Sequence, residues 1–283
     1  MSHESDKLAR LRDLAESALH TPVEIATGQL GHATGTVVKM RGRGVDLIAK
    51  LHRSPSLHER EVHAYRAWTP HLGSAAPELI AVAPELHGIV ITALPGTPLD
   101  TQSLGPDDER DAHRDAGRIL ARLHSLPAQA AASDMTDYLA DRGEHWLARL
   151  GHHITQHDAH LVREHLRLLR STTHARVAPC HLDFQPRNLL WHTDRRTRVI
   201  DFENSREDLA ARDLARLATR IWPQRPDLRE AFLDAYGPLD TNDTAVLHHV
   251  TALEAVTSMA HGLQHGDDYL VDLGRRLLAN LGH

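Results

Sequence analysis

The chain has 283 residues, which at roughly 100 to 200 residues per domain allows one large domain or two lobes, with length enough to bury a core. Hydrophobic residues make up 41% and charged residues 25%, ordinary globular usage that excludes wholesale disorder. The net charge of -6, from 32 Lys+Arg against 38 Asp+Glu, lacks the basic footprint of a nucleic-acid binder.

No stretch approaches the roughly 18 to 20 uninterrupted apolar residues of a membrane-spanning helix. The opening MSHESDKLARLRDL has no apolar core of a secretory signal. A single cysteine, Cys180, excludes an internal disulfide. The expectation is a cytoplasmic protein with no membrane and no nucleic-acid partner. The 24 histidines invite a metal reading. In the densest cluster, however, His58 and His63 stand five apart, off a shared helix face, so the histidines read as solvated or locally hydrogen-bonding groups.

In chain order, Asp6 to Leu19 has the apolar spacing of a short amphipathic helix. From Val23 three β-leaning runs follow, separated by Gly28, Gly31 and Gly35 and then by Arg41-Gly42-Arg43-Gly44, which predicts an antiparallel meander. Leu57 to Trp68 predicts a helix, and Pro77 to Val82 and Gly88 to Leu94 two more strands. After Pro98 the pattern turns helical: Asp107 to Leu126, Thr136 to Leu150, His160 to Leu169, Asp208 to Leu217, Leu228 to Tyr236, Thr244 to Gly262 and Asp268 to Leu281. A strand pair, Asn188 to Trp191 and Arg198 to Phe202, interrupts it. The expected domains are 1–94, a small antiparallel-sheet lobe, and 95–283, a helical lobe.

The informative string is Cys180-His181-Leu182-Asp183-Phe184-Gln185-Pro186-Arg187-Asn188, followed by Ile200-Asp201-Phe202-Glu203. A carboxylate, a carboxamide five residues on and a second carboxylate after a hairpin offer the hard oxygen ligands that suit Mg²⁺ on a nucleotide. Asn188 and Asp201 are the candidate metal ligands. Asp183 is the candidate catalytic group that orients an acceptor hydroxyl and takes its proton, the H-x-D-x-x-x-x-N arrangement of phosphoryl transfer.

Over nearly its whole length the chain resembles the aminoglycoside phosphotransferase and choline kinase-like small-molecule kinases. His181 to Asn188 and Ile200 to Glu203 match that family's core motifs, while Leu123-His124-Ser125-Leu126 and Asp213-Leu214-Ala215-Arg216 are similar to two further hallmarks. The resemblance implies an α+β, bilobal protein-kinase-like fold with a small antiparallel-sheet N-lobe and a mostly helical C-lobe. It implies ATP or GTP and Mg²⁺ as cofactors, Lys50 on the third strand contacting phosphates, and a hinge at Ile91-Thr92-Ala93-Leu94 whose backbone, through Thr92 and Leu94, meets the nucleotide base.

A lysine there needs an anionic partner on the next helix, and Glu61 is the chosen residue, with Glu59 close enough to be a rival. Glu203 is left to a second metal or to bracing the loop, and the loop from Gly28 to Gly35 to phosphate contact or a plain hairpin. His181 reads as loop support and Cys180 as packing. Between Gly237 and His283 stand Asp240, Asp243, Glu254, Asp267, Asp268 and Asp272 against Arg275 and Arg276, a balance that would attract a cationic small-molecule acceptor. An aromatic content of 4% argues against a rich cation–π cage for choline, to which Trp222, Tyr236 and Tyr269 would be the contributors. The function implied is transfer of the γ-phosphoryl group to a hydroxyl of a small cationic molecule such as an aminoglycoside. The alternatives are a metabolic kinase for choline, an amino-alcohol or a sugar, and a nucleotide-binding pseudokinase.

Overall fold

A computed structural model describes residues 3–29, 35–42, 44–172 and 174–281. The chain forms two compact units, Met1–Leu123 with Gln185–Arg206, and His124–Phe184 with Glu207–His283.

In the first unit, helix α1 (His3–Leu19) precedes five antiparallel strands, β1 (Val23–Gln29), β2 (Gly35–Gly42), β3 (Val45–His52), β4 (Leu79–Ala83) and β5 (Gly88–Thr92), in the spatial order β1-β2-β3-β5-β4. The predicted meander is present. The β2–β3 ladder runs out to Gly42↔Val45, and the φ of 79° at Gly44 is the left-handed backbone that a glycine takes without steric cost. Leu11 and Ala15 of α1 pack into a core with Met40, Leu47, Ala49 and Val90. A Cβ at Gly88 would come within 2.7 Å of Leu11, so glycine lets the helix lie close on β5.

Helix α2 (Pro55–Ala67) starts two residues before the predicted position. Ser54 caps it by accepting the Leu57 N–H, and Pro55 takes the first turn, where no N–H partner is needed.

The units do not divide at residue 94–95. Strands β6 (Thr97–Pro98), β8 (Leu189–Trp191) and β9 (Thr197–Val199) form one sheet in the first unit. Helix α3 (Pro106–His124) joins them there, because Thr197 donates its N–H to Asp115 and its hydroxyl to the Ala112 carbonyl. The periodic face Ala112, Ala116, Ile119, Leu120 and Leu123 is buried as predicted.

The second unit holds α4 (Ala132–Leu150), α5 (Gln156–Ser171), α6 (Ala215–Arg220), α8 (Thr241–His265) and α9 (Asp268–Leu281) around one core that includes Leu139, Val162, Leu166, Val250, Val256 and Leu277, while α7 (Pro226–Tyr236) packs its Phe232 against the Phe184, Trp222 and Tyr236 rings. Two local predictions differ. Val177–Cys180 is a strand, β7, despite Pro179, and it pairs with β10 (Arg206–Leu209), so Asp208 lies in a strand rather than a helix. Long-range pairing decides both, and a four-residue run containing proline carries no local strand signal. No helix among the described residues is long and apolar enough to cross a membrane.

Candidate functional site

In the first unit the site grows from Lys50 on β3. Its side chain is buried, and Nζ lies 2.9 Å from both carboxylate oxygens of Glu61, 2.7 Å from Asp201 Oδ1 and 3.6 Å from Glu203 Oε2. Helix α2 supplies Glu61, which is fully buried, while Glu59 is exposed. The 3₁₀ turn Phe202–Asn204 brings Glu203 and packs its Phe202 ring 5.6 Å from Tyr65 of α2. Burial alone would lower the ammonium's pKa. Glu61, then Asp201 and Glu203, more than offset it, and the net shift is upward. Glu61 mirrors this: burial raises its pKa, but Lys50 and the hydrogen bond from His52 hold it below the usual carboxylate range.

Sequence reading missed His52. Its Nε2 lies 2.5 Å from Glu61 Oε2, and its Nδ1–H donates to the His87 carbonyl at 2.9 Å, which fixes the ring at both ends. The signal was available, since residues two apart on a strand share a face and put His52 beside Lys50.

Asn188 closes the 3₁₀ turn Pro186–Asn188 and is buried. Its carbonyl accepts the Ile200 N–H at 3.0 Å, so the β8–β9 hairpin begins at Asn188 and ends next to Asp201. Asp201 has φ 70°, a left-handed conformation uncommon for a residue with a Cβ. Both candidate metal ligands thus sit at one end of one hairpin, and a carboxamide and a carboxylate oxygen are chemically suited to Mg²⁺.

At the expected hinge, the Thr92 N–H donates to the Glu78 carbonyl and the Thr92 hydroxyl accepts the Glu78 N–H, both at 2.9 Å. Ala93 N–H goes to Asp46. Leu94 follows beyond these sheet bonds. Residues 30–34 of the glycine loop lie outside the described residues.

In the second unit Asp183 is 1% exposed, and its Oδ1 lies 2.6 Å from an Arg216 guanidinium nitrogen. The loop carrying it is clamped by Asp213. The N–H groups of His181 and Leu182 both donate to that carboxylate, as does His124 Nε2 at 3.0 Å, and His124 Nδ1 is in turn 2.8 Å from the Tyr236 hydroxyl. Leu182, just before Asp183, has φ 60°, a strained value for a bulky residue that the clamp sustains. His181 Nδ1 accepts the Asp183 N–H at 3.2 Å. Two of the sequence hallmarks, His124 and Asp213, are therefore partners of this loop. Cys180 is buried, and burial, then Asp213 and Asp208, push its thiol well above its ordinary value.

Burial raises the Asp213 pKa, but His124 and His181 outweigh it and the net shift is downward. A group lowered in the folded state contributes stability that is complete above its unfolded pKa, near 3.8, and lost as pH falls through the folded value. Asp213→Asn is therefore expected to lower unfolding free energy at pH 7 by about 1.5–3 kcal/mol. It should also weaken the acid dependence below pH 4. Urea titrations at several pH values check both, and an unchanged acid profile would remove Asp213 from the clamp.

The acids expected to face an acceptor are partly committed elsewhere. Glu254 is held by Arg220 at 2.5 Å, Asp243 lies 3.4 Å from Arg176, and Asp240 caps α8 by accepting the Asp243 N–H. Two of the three named aromatics already meet arginines. Arg229 lies over the Trp222 ring, Arg176 lies over Tyr236, and Tyr269 is 58% exposed on α9.

A macrolide 2′-phosphotransferase from Brachybacterium faecium is similar in fold, with 18% identity, a TM-score of 0.67, and 97% of this chain and 98% of that one covered. So is APH(2″)-IIia, solved with GDP and kanamycin, at 14% identity, TM-score 0.70, and 95% and 97% coverage. APH(2″)-IIa, solved with gentamicin, gives 14%, 0.65, and 99% and 96%. Among curated proteins no sequence matches. The model of the phosphotransferase enzyme family matches residues 29–249, which takes in β3, α2, the loop at Asp183, the hairpin and the Asp213 clamp, and the chain belongs to that family.

Proposed function

We propose that the protein transfers the γ-phosphoryl group of a nucleoside triphosphate to a hydroxyl of a small amine-bearing molecule. The observation that carries this reading is the buried Lys50, held between Glu61 and Asp201 with Asn188 at the root of the same hairpin. Lys50 serves the phosphates, and Glu61, braced by His52, keeps its ammonium in place. Thr92 and Leu94 belong to the backbone segment that meets the base, with the sheet bonds at Thr92 and Ala93 leaving Leu94 as the main contact. Asn188 and Asp201 would hold Mg²⁺, which when bound supplies charge neutralisation on the phosphate oxygens. Asp183 orients the acceptor hydroxyl and accepts its proton as the O–P bond forms.

The structures similar in fold include complexes with ADP, GDP and ATP, and with gentamicin, kanamycin and streptomycin, which supports a nucleotide donor and a cationic acceptor. A second acceptor class is favoured by one observation. The pairing of Asp183 with Arg216 and of Glu254 with Arg220 leaves less negative charge than a polycation would need, which suits a macrolide bearing fewer charges.

The test is ADP or GDP release by the purified protein with Mg-ATP and Mg-GTP, across aminoglycosides, macrolides, choline, amino-alcohols and sugars. Stimulation by an aminoglycoside or a macrolide supports the reading and selects between its two forms. Stimulation confined to choline or a sugar would replace the acceptor class, and failure to bind either nucleotide would overturn the reading.

A further inference from the structure

Helices α5 and α8 share the core of the second unit, and at one edge of their contact three histidines converge: His165 from α5, and His248 and His249 from α8. One ring nitrogen from each lies within 4.8 Å of the other two, and His165 Nδ1 and His249 Nδ1 are 3.1 Å apart. The ring centroids of His165 and His248 are 4.9 Å apart. His165 is buried, His249 half-buried and His248 exposed, so the group runs from the core to solvent and has an entry path.

The spacing of the ring nitrogens and the placement of the three residues on two helices separate this group from a chance surface cluster. Two nitrogens bound at about 2.0–2.1 Å to a tetrahedral metal stand about 3.3 Å apart, close to the Nδ1 separation found here, where one ring now hydrogen-bonds the other.

We propose that His165, His248 and His249 form a binding site for one divalent transition metal of the zinc class, which fastens α5 to α8 and leaves its fourth position to water. Imidazole nitrogens select Zn²⁺, Co²⁺, Ni²⁺ or Cu²⁺ over Mg²⁺, so this site and the nucleotide's metal do not compete. It stands apart from the phosphotransfer reading and does not depend on it.

The experiment is a titration of the metal-free full chain with Co²⁺, followed by visible absorption, and with Zn²⁺, followed by calorimetry and thermal melting. His248→Gln and His249→Gln run alongside. Both positions reach solvent, so these variants keep the buried His165 and the core intact. The expected result is one equivalent of four-coordinate Co²⁺ displaced by Zn²⁺, a melting temperature raised by Zn²⁺, and affinity lowered more than about tenfold in each variant. Other ring pairs, such as His152 with His153 and His261 with His265, offer metals a rival location. Metal binding that is unchanged in either variant would place the ion there and overturn the proposal, as would the absence of the Co²⁺ absorption in the wild type.

Discussion

Asp183→Asn is expected to lower kcat by about 10²- to 10⁴-fold while nucleotide affinity stays unchanged. The substitution keeps the shape of the side chain and removes the proton acceptor. It leaves the loop's own supports in place, since the His181 and Leu182 amides are held by Asp213 rather than by Asp183. Lost activity therefore reports on chemistry and not on a disordered loop. Asp183 and Arg216 form an ion pair at 2.6 Å, and the asparagine weakens it. Arg216→Gln separates that contribution, because it breaks the pair and retains the carboxylate. Steady-state kinetics with a stimulating acceptor, together with nucleotide binding by calorimetry, make the comparison. Undiminished turnover in Asp183→Asn would remove this residue from the mechanism.

Lys50→Met is expected to cost about 3–5 kcal/mol of stability in addition to activity, because it strands buried carboxylates without their cation. Glu61 is fully buried, and Glu203 is nearly so. The lysine is what lets Glu61 stay ionised there, with His52 as a second partner. The double variant Lys50→Met/Glu61→Gln should recover part of the loss, since the amide carries no charge to strand. Denaturant titration of the two single variants and the double one forms the cycle. If Lys50→Met proved as stable as the wild type, the lysine would be incidental to the charge balance around Glu61.

The small sheet was legible because its signals are local: alternating runs, glycine breaks and a capped helix whose start the sequence places within two residues. Lys50 and Glu61 followed from the resemblance, and their contact needed only one strand and the helix after it. What escaped depended on partners distant in sequence. Arg216 meets Asp183 across 33 residues, β7 exists only through its pairing with β10, and the helix predicted from Asp208 is broken by that same pairing. The boundary at 94–95 rested on the change from strand to helix patterning along the chain, whereas hydrogen bonds from Thr197 to α3 draw the hairpin into the first unit. The three histidines at the α5–α8 edge were passed over for the same reason, since two of them stand more than 80 residues from the third.

The Asp213 clamp has a consequence for motion. A loop bearing a reactive group usually stands among the least protected segments of a protein. Here two consecutive amides, at His181 and Leu182, end on one fully buried carboxylate that a buried histidine also holds. Their hydrogens can exchange with water only when that carboxylate lets go. The segment ahead of Asp183 should then exchange at the pace of the helical core, and ordering it when a substrate arrives draws nothing from the free energy of binding.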